Sequence, residues 1–160
     1  MVDVARAAGC SRATLYRYFP NQDALHLAFV HRATLRIAAM MASERDAGAP
    51  DSLVDRILSG IDQVRSDPML AVWFEPENMA VPMAVSQSSE LLRSMSAGLI
   101  GENADSLDPD EVEMRAQWLL RSIVSLLALP GADADAERSM VESFVVPVLT
   151  APPTSTRSRT

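Results

Sequence analysis

The chain has 160 residues, 48% of them hydrophobic and only 5% aromatic, so it can form one domain or a small head on a larger body, with an aliphatic core. The lone Cys10 excludes an intramolecular disulfide and a cysteine-rich zinc site, and no apolar run approaches the roughly 20 residues that cross a bilayer. A formal charge of −7 argues against nucleic acid as a partner of the whole chain, yet through Arg36 five arginines face two aspartates, a net of +3 that leaves −10 for the remainder. A basic head on an acidic body is the asymmetry expected of a small DNA-reading module carried by a body that does not touch DNA.

In chain order, Val2 to Ala8 is short and helix-compatible, and Gly9 supplies the positive φ that turns the chain. Ser11 is an N-cap for a helix over Arg12 to Tyr18, Pro20 stops it, and Asn21 caps the next. From Asn21 to about Asp46 the pattern is one long helix, with Leu27, Val30, Thr34, Ile37 and Met41 on one stripe and Leu25, Ala28 and Phe29 on a neighbouring one. Two apolar faces suit a connector packed against both head and body. Gly48 and Pro50 end it, and Asp51 caps a helix to about Ser66.

Asp67-Pro68 opens a helix that must be short or bent, because Pro76 and Pro82 lie ahead. An apolar helix is expected over Met83 to Ile100, closed by a polar loop from Gly101 to Leu107. Asp108-Pro109-Asp110-Glu111 then places a cap, a proline and acids at the start of a helix that runs to about Leu129. Pro130-Gly131 ends it, and a last helix from about Asp133 is expected to kink or stop at Pro147, leaving Ala151 to Thr160 as a disordered tail. The reading is all-α, with about eight helices. Residues 1–36 form a partial helix-turn-helix head with the start of the connector, 37–150 form a helical body, and 151–160 form the tail.

The most specific stretch is Val4-Ala5-Arg6-Ala7-Ala8-Gly9-Cys10-Ser11-Arg12-Ala13-Thr14-Leu15-Tyr16-Arg17-Tyr18-Phe19. A helix entering the major groove needs short polar side chains at its exposed N-terminal end, so that the backbone approaches the base edges; Ser11, Arg12, Ala13 and Thr14 meet that demand. Leu15 and Phe19 are expected to face inward against Val4 and Ala8, leaving Tyr16, Arg17 and Tyr18 to reach phosphates or bases.

Over about 25 residues this stretch resembles the second and third helices of TetR-family repressors, with the pattern A-x-x-A-G-x-S-x-x-T-L-Y-x-Y-F. The resemblance implies DNA contacts from Thr14, Tyr16 and Tyr18, and specificity-setting positions at Arg12, Ala13 and Arg17. It implies a phosphate contact at Gln22, where the family has Lys and this chain has no charge. It also implies a helix ahead of Val2 that the 160 residues do not contain, so the expectation is either a start that lies upstream or a loosely folded head that binds DNA poorly. The function implied is a homodimeric, cytoplasmic regulator that binds a double-stranded operator and is released by an apolar or amphipathic small molecule. The rival is a dimeric ligand-binding or interaction module that does not bind DNA.

By the same resemblance, an effector cavity is expected among the middle helices, where Met41, Leu70, Trp73, Phe74, Met79, Met83, Met95 and Trp118 supply adaptable apolar surface. The last two helices are expected to form the dimer interface through Leu119, Ser122, Ile123, Leu126, Val141, Phe144, Val145 and Val148. His26 and His31, five apart, diverge around a helix and do not form a zinc-gripping i, i+4 pair. Glu75 and Glu77 read as a solvated bend and Cys10 as a packed thiol. With no nucleophile elbow, phosphate loop or metal cluster in the sequence, neither an enzyme nor a cofactor is expected, nor is a membrane partner.

Overall fold

The computed structural model describes residues 1–100 and 107–152. The expected loop at 101–106 and most of the expected tail, 153–160, lie outside the described residues. Every element described is helical: α1 (Val2–Ala7), α2 (Arg12–Tyr18), α3 (Gln22–Asp46), α4 (Leu53–Ser66), α5 (Pro68–Ala71), α6 (Ala80–Ser88), α7 (Glu90–Ile100), α8 (Pro109–Ala128), α9 (Ala134–Met140) and α10 (Val146–Thr150). Tight 3₁₀ turns at Val72–Phe74 and Pro76–Asn78 join α5 to α6, and a π-helical turn at Val141–Val145 joins α9 to α10.

Local chemistry explains most of the boundaries. Gly9 takes φ 63° after α1, and Gly48 takes φ 90° after α3, conformations that cost a side-chain-bearing residue dearly. Side chains of Ser11, Asn21, Asp67, Asp108 and Asp133 each accept a backbone N–H at the helix start that follows them. At α4 the cap is Ser52, which accepts from the Asp55 N–H at 3.1 Å, in place of the expected Asp51. Asp51 instead faces Arg56 at 3.9 Å.

The apolar helix expected over Met83 to Ile100 is two helices, broken at Ser89. Ser86 and Ser88 donate their hydroxyls back to the carbonyls of Met83 and Ala84, at 2.8 and 3.0 Å, a local competition that weakens a helix. Ser89 then leaves helical geometry with ψ 106°, and its hydroxyl accepts the Leu92 N–H at 3.2 Å, capping α7. Pro147 does not stop the last helix. The π turn just before it provides the extra residue that lets the chain continue without the missing proline N–H.

The core lies in the body. Ile57 and Ile61 of α4, Ile100 of α7, Leu119, Leu126 and Leu127 of α8, and Val141, Val145 and Leu149 of the C-terminal segment are buried together. Each such side chain contributes about 1.5–3 kcal/mol on leaving water. Two ion pairs stitch the C-terminal segment to this core. Arg115 donates to Glu111 at 2.6 Å and to the carbonyl of Leu149 at 2.8 Å, one of the carbonyls orphaned at the end of α10. Arg65 grips Glu137 with both nitrogens, at 2.6 and 2.7 Å, and also donates to the Leu126 carbonyl at 2.9 Å.

Candidate nucleic-acid interface and ligand cavities

The head folds around a very small interior. Leu15 of α2 is buried, as expected, but its buried partner on α1 is Ala5, while Val4 and Ala8 are exposed and Phe19 is half-buried. One turn of α1 therefore points its alanine inward and its valines out. The Gly9 turn closes through the Gly9 and Cys10 N–H groups, which donate to the Arg6 and Ala5 carbonyls at 3.2 and 3.0 Å.

Of the eight residues expected to meet DNA, seven are exposed: Ser11, Arg12, Ala13, Tyr16, Arg17, Tyr18 and Gln22; Thr14 is half-buried. Ser11 accepts the Thr14 N–H at 3.0 Å, and the two hydroxyls meet at 2.8 Å, so their first task is to fix the start of α2. Arg12 and Tyr16, and Ala13 and Arg17, stand one turn apart on a solvent-facing surface. Tyr18 is 67% exposed and carries the Arg17 guanidinium 5.2 Å from its ring centre, which orients a cation at the edge of the surface. Gln22 opens α3 and lies 3.3 Å from His26.

The connector α3 joins this surface to the body. Its Arg36, counted with the basic head by sequence position, is tied to Asp67 at the start of α5. The Met69 N–H and the Arg36 guanidinium together hold the Asp67 carboxyl below its usual range. Trp73 packs against the same connector, 5.0 Å from the Phe29 ring and 5.3 Å, edge-on, from His26. His31 forms a 3.0 Å hydrogen bond with the buried Ser89 hydroxyl at the α6/α7 junction.

Several hollows adjoin these elements, and three of them hold most of the residues expected to line an effector site. An almost purely apolar cavity of about 120 Å³ lies between Val30, Ala33, Thr34 and Ile37 of α3 and Leu70, Trp73, Phe74 and Val85 of the body. Beside it a more open groove of about 460 Å³ runs between α6 and α8, lined by Met79 and Met83 with Gln87, Arg93 and Arg121. Met41 and Met95 line a third hollow of about 260 Å³ at the far end of α3. The residues expected to line one effector site thus fall into three places, and Trp118 lines none of these three hollows: it is 43% exposed on the outer side of α8.

The expected dimer residues divide as sharply. Leu119, Leu126, Val141 and Val145 are buried in the chain's own core, Ser122 and Ile123 are half-buried, and only Phe144 and Val148 are exposed. With those two stand Met114 and Trp118 of α8, Leu129 just past its end and Met140 of α9, apolar yet exposed. A sequence stripe of period 3.6 does not say which of two apolar faces is the inner one; Met114 and Trp118 lie on the second face of α8.

Among the described residues no group of three or more His, Cys, Asp or Glu is placed to hold a metal ion, and no helix is long and apolar enough to cross a membrane. Cys10 is half-buried and unpaired by any disulfide.

A capped helix after a glycine turn, followed by a long connector into an all-helical body, is the arrangement of a helix-turn-helix protein. Residues 1–29 match the family described as bacterial regulatory proteins, tetR family. Two curated proteins, each described as an uncharacterized HTH-type transcriptional regulator, from Mycobacterium tuberculosis strains CDC 1551 / Oshkosh and H37Rv, are 40% identical over 152 residues, which is 94% of this chain and 75% of theirs. The chain belongs to the tetR family of bacterial regulatory proteins. No solved structure gives a significant match.

Proposed function

We infer that this chain is a cytoplasmic, homodimeric transcriptional repressor whose two α2 helices read successive major grooves of an operator, and that a small apolar or amphipathic effector in the body releases it. One observation carries the reading. The same helix, α3, begins at Gln22 beside the reading surface and, about 22 Å further along at Ile37, forms a wall of the apolar cavity. A ligand that enlarges or fills that cavity bears on the lever that sets the head.

Ser11 and Thr14 set the start of α2, while Arg12, Ala13, Tyr16 and Arg17 face the bases and Tyr18 and Gln22 the phosphates. The effector acts only through its different affinities for the DNA-competent and released states. The exposed stripe Met114, Trp118 and Leu129, with Met140, Phe144 and Val148, supplies the dimer contact; six apolar side chains left in water on adjoining helices favour association with a second copy.

The test is a fluorescence-anisotropy titration of the full chain against the intergenic duplex upstream of its own gene, at 50 and 200 mM salt. Sequence-specific binding that weakens with salt supports the repressor reading. A chain that stays dimeric yet shows no preference for that duplex overturns it in favour of a ligand-binding module without DNA recognition.

A further inference from the structure

The apolar cavity and the open groove are neighbours that share a wall. Ser86 of α6 and Leu120 and Val124 of α8 line both. The inner chamber offers almost no polar surface, whereas the outer groove carries Gln87, Arg93 and Arg121 above its methionines. A single elongated ligand that displaces the shared Leu120 and Val124 side chains lies with an apolar end against Trp73 and Phe74 and a polar end at the groove.

The charge at that polar end is fixed by which cation is free. In the body Arg56, Arg65, Arg93, Arg115 and Arg138 each face a carboxylate. Arg93, with Glu90 at 3.9 Å and Glu113 at 3.6 Å, brings no net positive charge to the groove. Arg121 lines the groove with no hydrogen-bond or ion-pair partner among the described residues, although the body carries an excess of acids. Arg45, the other body arginine without a partner there, is exposed near the end of α3 and lines other hollows. A planar guanidinium with open donors at the mouth of an apolar cavity matches a carboxylate in shape and sign.

We propose that the joined cavity binds a medium-chain aliphatic carboxylate, its alkyl end in the inner chamber and its carboxylate on Arg121. The proposal rests on the effector reading above and narrows it to an anionic amphiphile. Selectivity follows from the two halves: the chamber rewards chain length, and Arg121 rewards the negative head.

Calorimetric titration of the full chain with a straight-chain series from butanoate to decanoate, and with 1-octanol, tests it. Affinity is expected to rise about three- to fourfold per added methylene until the inner chamber is filled. Arg121→Gln weakens octanoate about fivefold and leaves octanol unchanged, as an accessible charge pair predicts, while Arg121→Lys retains most of the affinity and neither variant lowers the melting midpoint. Equal binding of octanoate and octanol by the native chain, or indifference of octanoate to Arg121→Gln, overturns the proposal, as does absence of binding at millimolar concentration. Operator release is scored separately by anisotropy: a carboxylate that binds but leaves DNA affinity unchanged keeps the site and removes the effector reading, whereas release by an unrelated neutral ligand keeps that reading and removes this site.

Discussion

His31 and Ser89, 58 residues apart, meet through a 3.0 Å hydrogen bond that joins the middle of the connector to the break between α6 and α7. Ser89 is fully buried, and the same hydroxyl caps α7, so one oxygen fixes both the start of a cavity-lining region and its attachment to the lever. Ser89→Ala leaves the His31 nitrogen without its protein partner and uncaps α7, which costs about 1–2 kcal/mol and lowers the melting midpoint by about 3–6 °C. Its larger effect is expected on coupling: operator affinity without effector is retained while effector-driven release is blunted. His31→Ala should blunt release similarly, and the double variant should be less affected than the sum of the two, by 0.5 kcal/mol or about that. Additive effects with full release would reduce the bond to a local cap.

Acid should loosen the C-terminal segment before the rest of the body. The Arg65 guanidinium, bonded at two points, holds the Glu137 carboxyl below its ordinary 4.5, with the Gly131 N–H adding to it at 2.8 Å and burial opposing. A depressed carboxyl contributes its full stability above the unfolded value and loses it as pH falls from there through the folded value. Melting midpoints are therefore expected to be level near neutrality and to drop progressively below about pH 4.5. Asp55, lowered by its Ser52 and Arg138 bonds, and Asp67 act in the same direction. Glu137→Gln, which leaves Arg65 only a neutral partner, should cost about 2 kcal/mol at pH 7 and flatten the acid limb. Gly131→Ala should mimic part of this, because a Cβ there would lie 2.6 Å from the Glu137 Cγ.

What could be read from the sequence was what is decided locally. Caps at Ser11, Asn21, Asp67 and Asp108 act over two or three residues, and the glycine turn at Gly9 depends on one φ, so each leaves its mark in adjacent letters. The break at Ser89 left none, since a serine-rich stretch within an apolar pattern is helical or not according to what its hydroxyls find, and Ser89 finds His31 on another helix. The part-buried pair Arg65–Glu137 and the buried pair Arg115–Glu111 escaped for the same reason: charged letters read as surface until a partner is placed beside them. The residues that sequence singled out for DNA contact run together along α2 to the first residue of α3; for the cavity they scatter, because methionine marks apolar filling without saying which hollow it fills.

Gln22 offers a gain-of-function test of the reading surface. It is exposed at the first position of α3, and among the described residues its amide meets only His26. Gln22→Lys restores a cation where a phosphate contact is proposed, so operator affinity at low salt should rise and the slope of log affinity against log salt should steepen by about 0.9. Thr14→Ala with Tyr16→Ala should instead lower affinity for the native operator at both salt concentrations. An unchanged slope in the lysine variant would place Gln22 away from the backbone of DNA.

The two sets of C-terminal apolar residues make opposite predictions for association and folding. Phe144 is 69% exposed, so Phe144→Glu removes little from the chain's own core while setting a charge in the middle of the proposed contact. The variant should sediment as a monomer at concentrations where the native chain is a dimer, with its helical circular dichroism kept. Val141 is fully buried one turn earlier, and Val141→Glu strands a carboxylate among Ile57, Leu119 and Leu149, so it should unfold the body and not merely split it. Operator affinity should fall in both, but only the Phe144 variant should keep effector binding, because Phe144 lines neither the inner chamber nor the groove. A Phe144→Glu chain that remains dimeric would move the interface away from the exposed stripe.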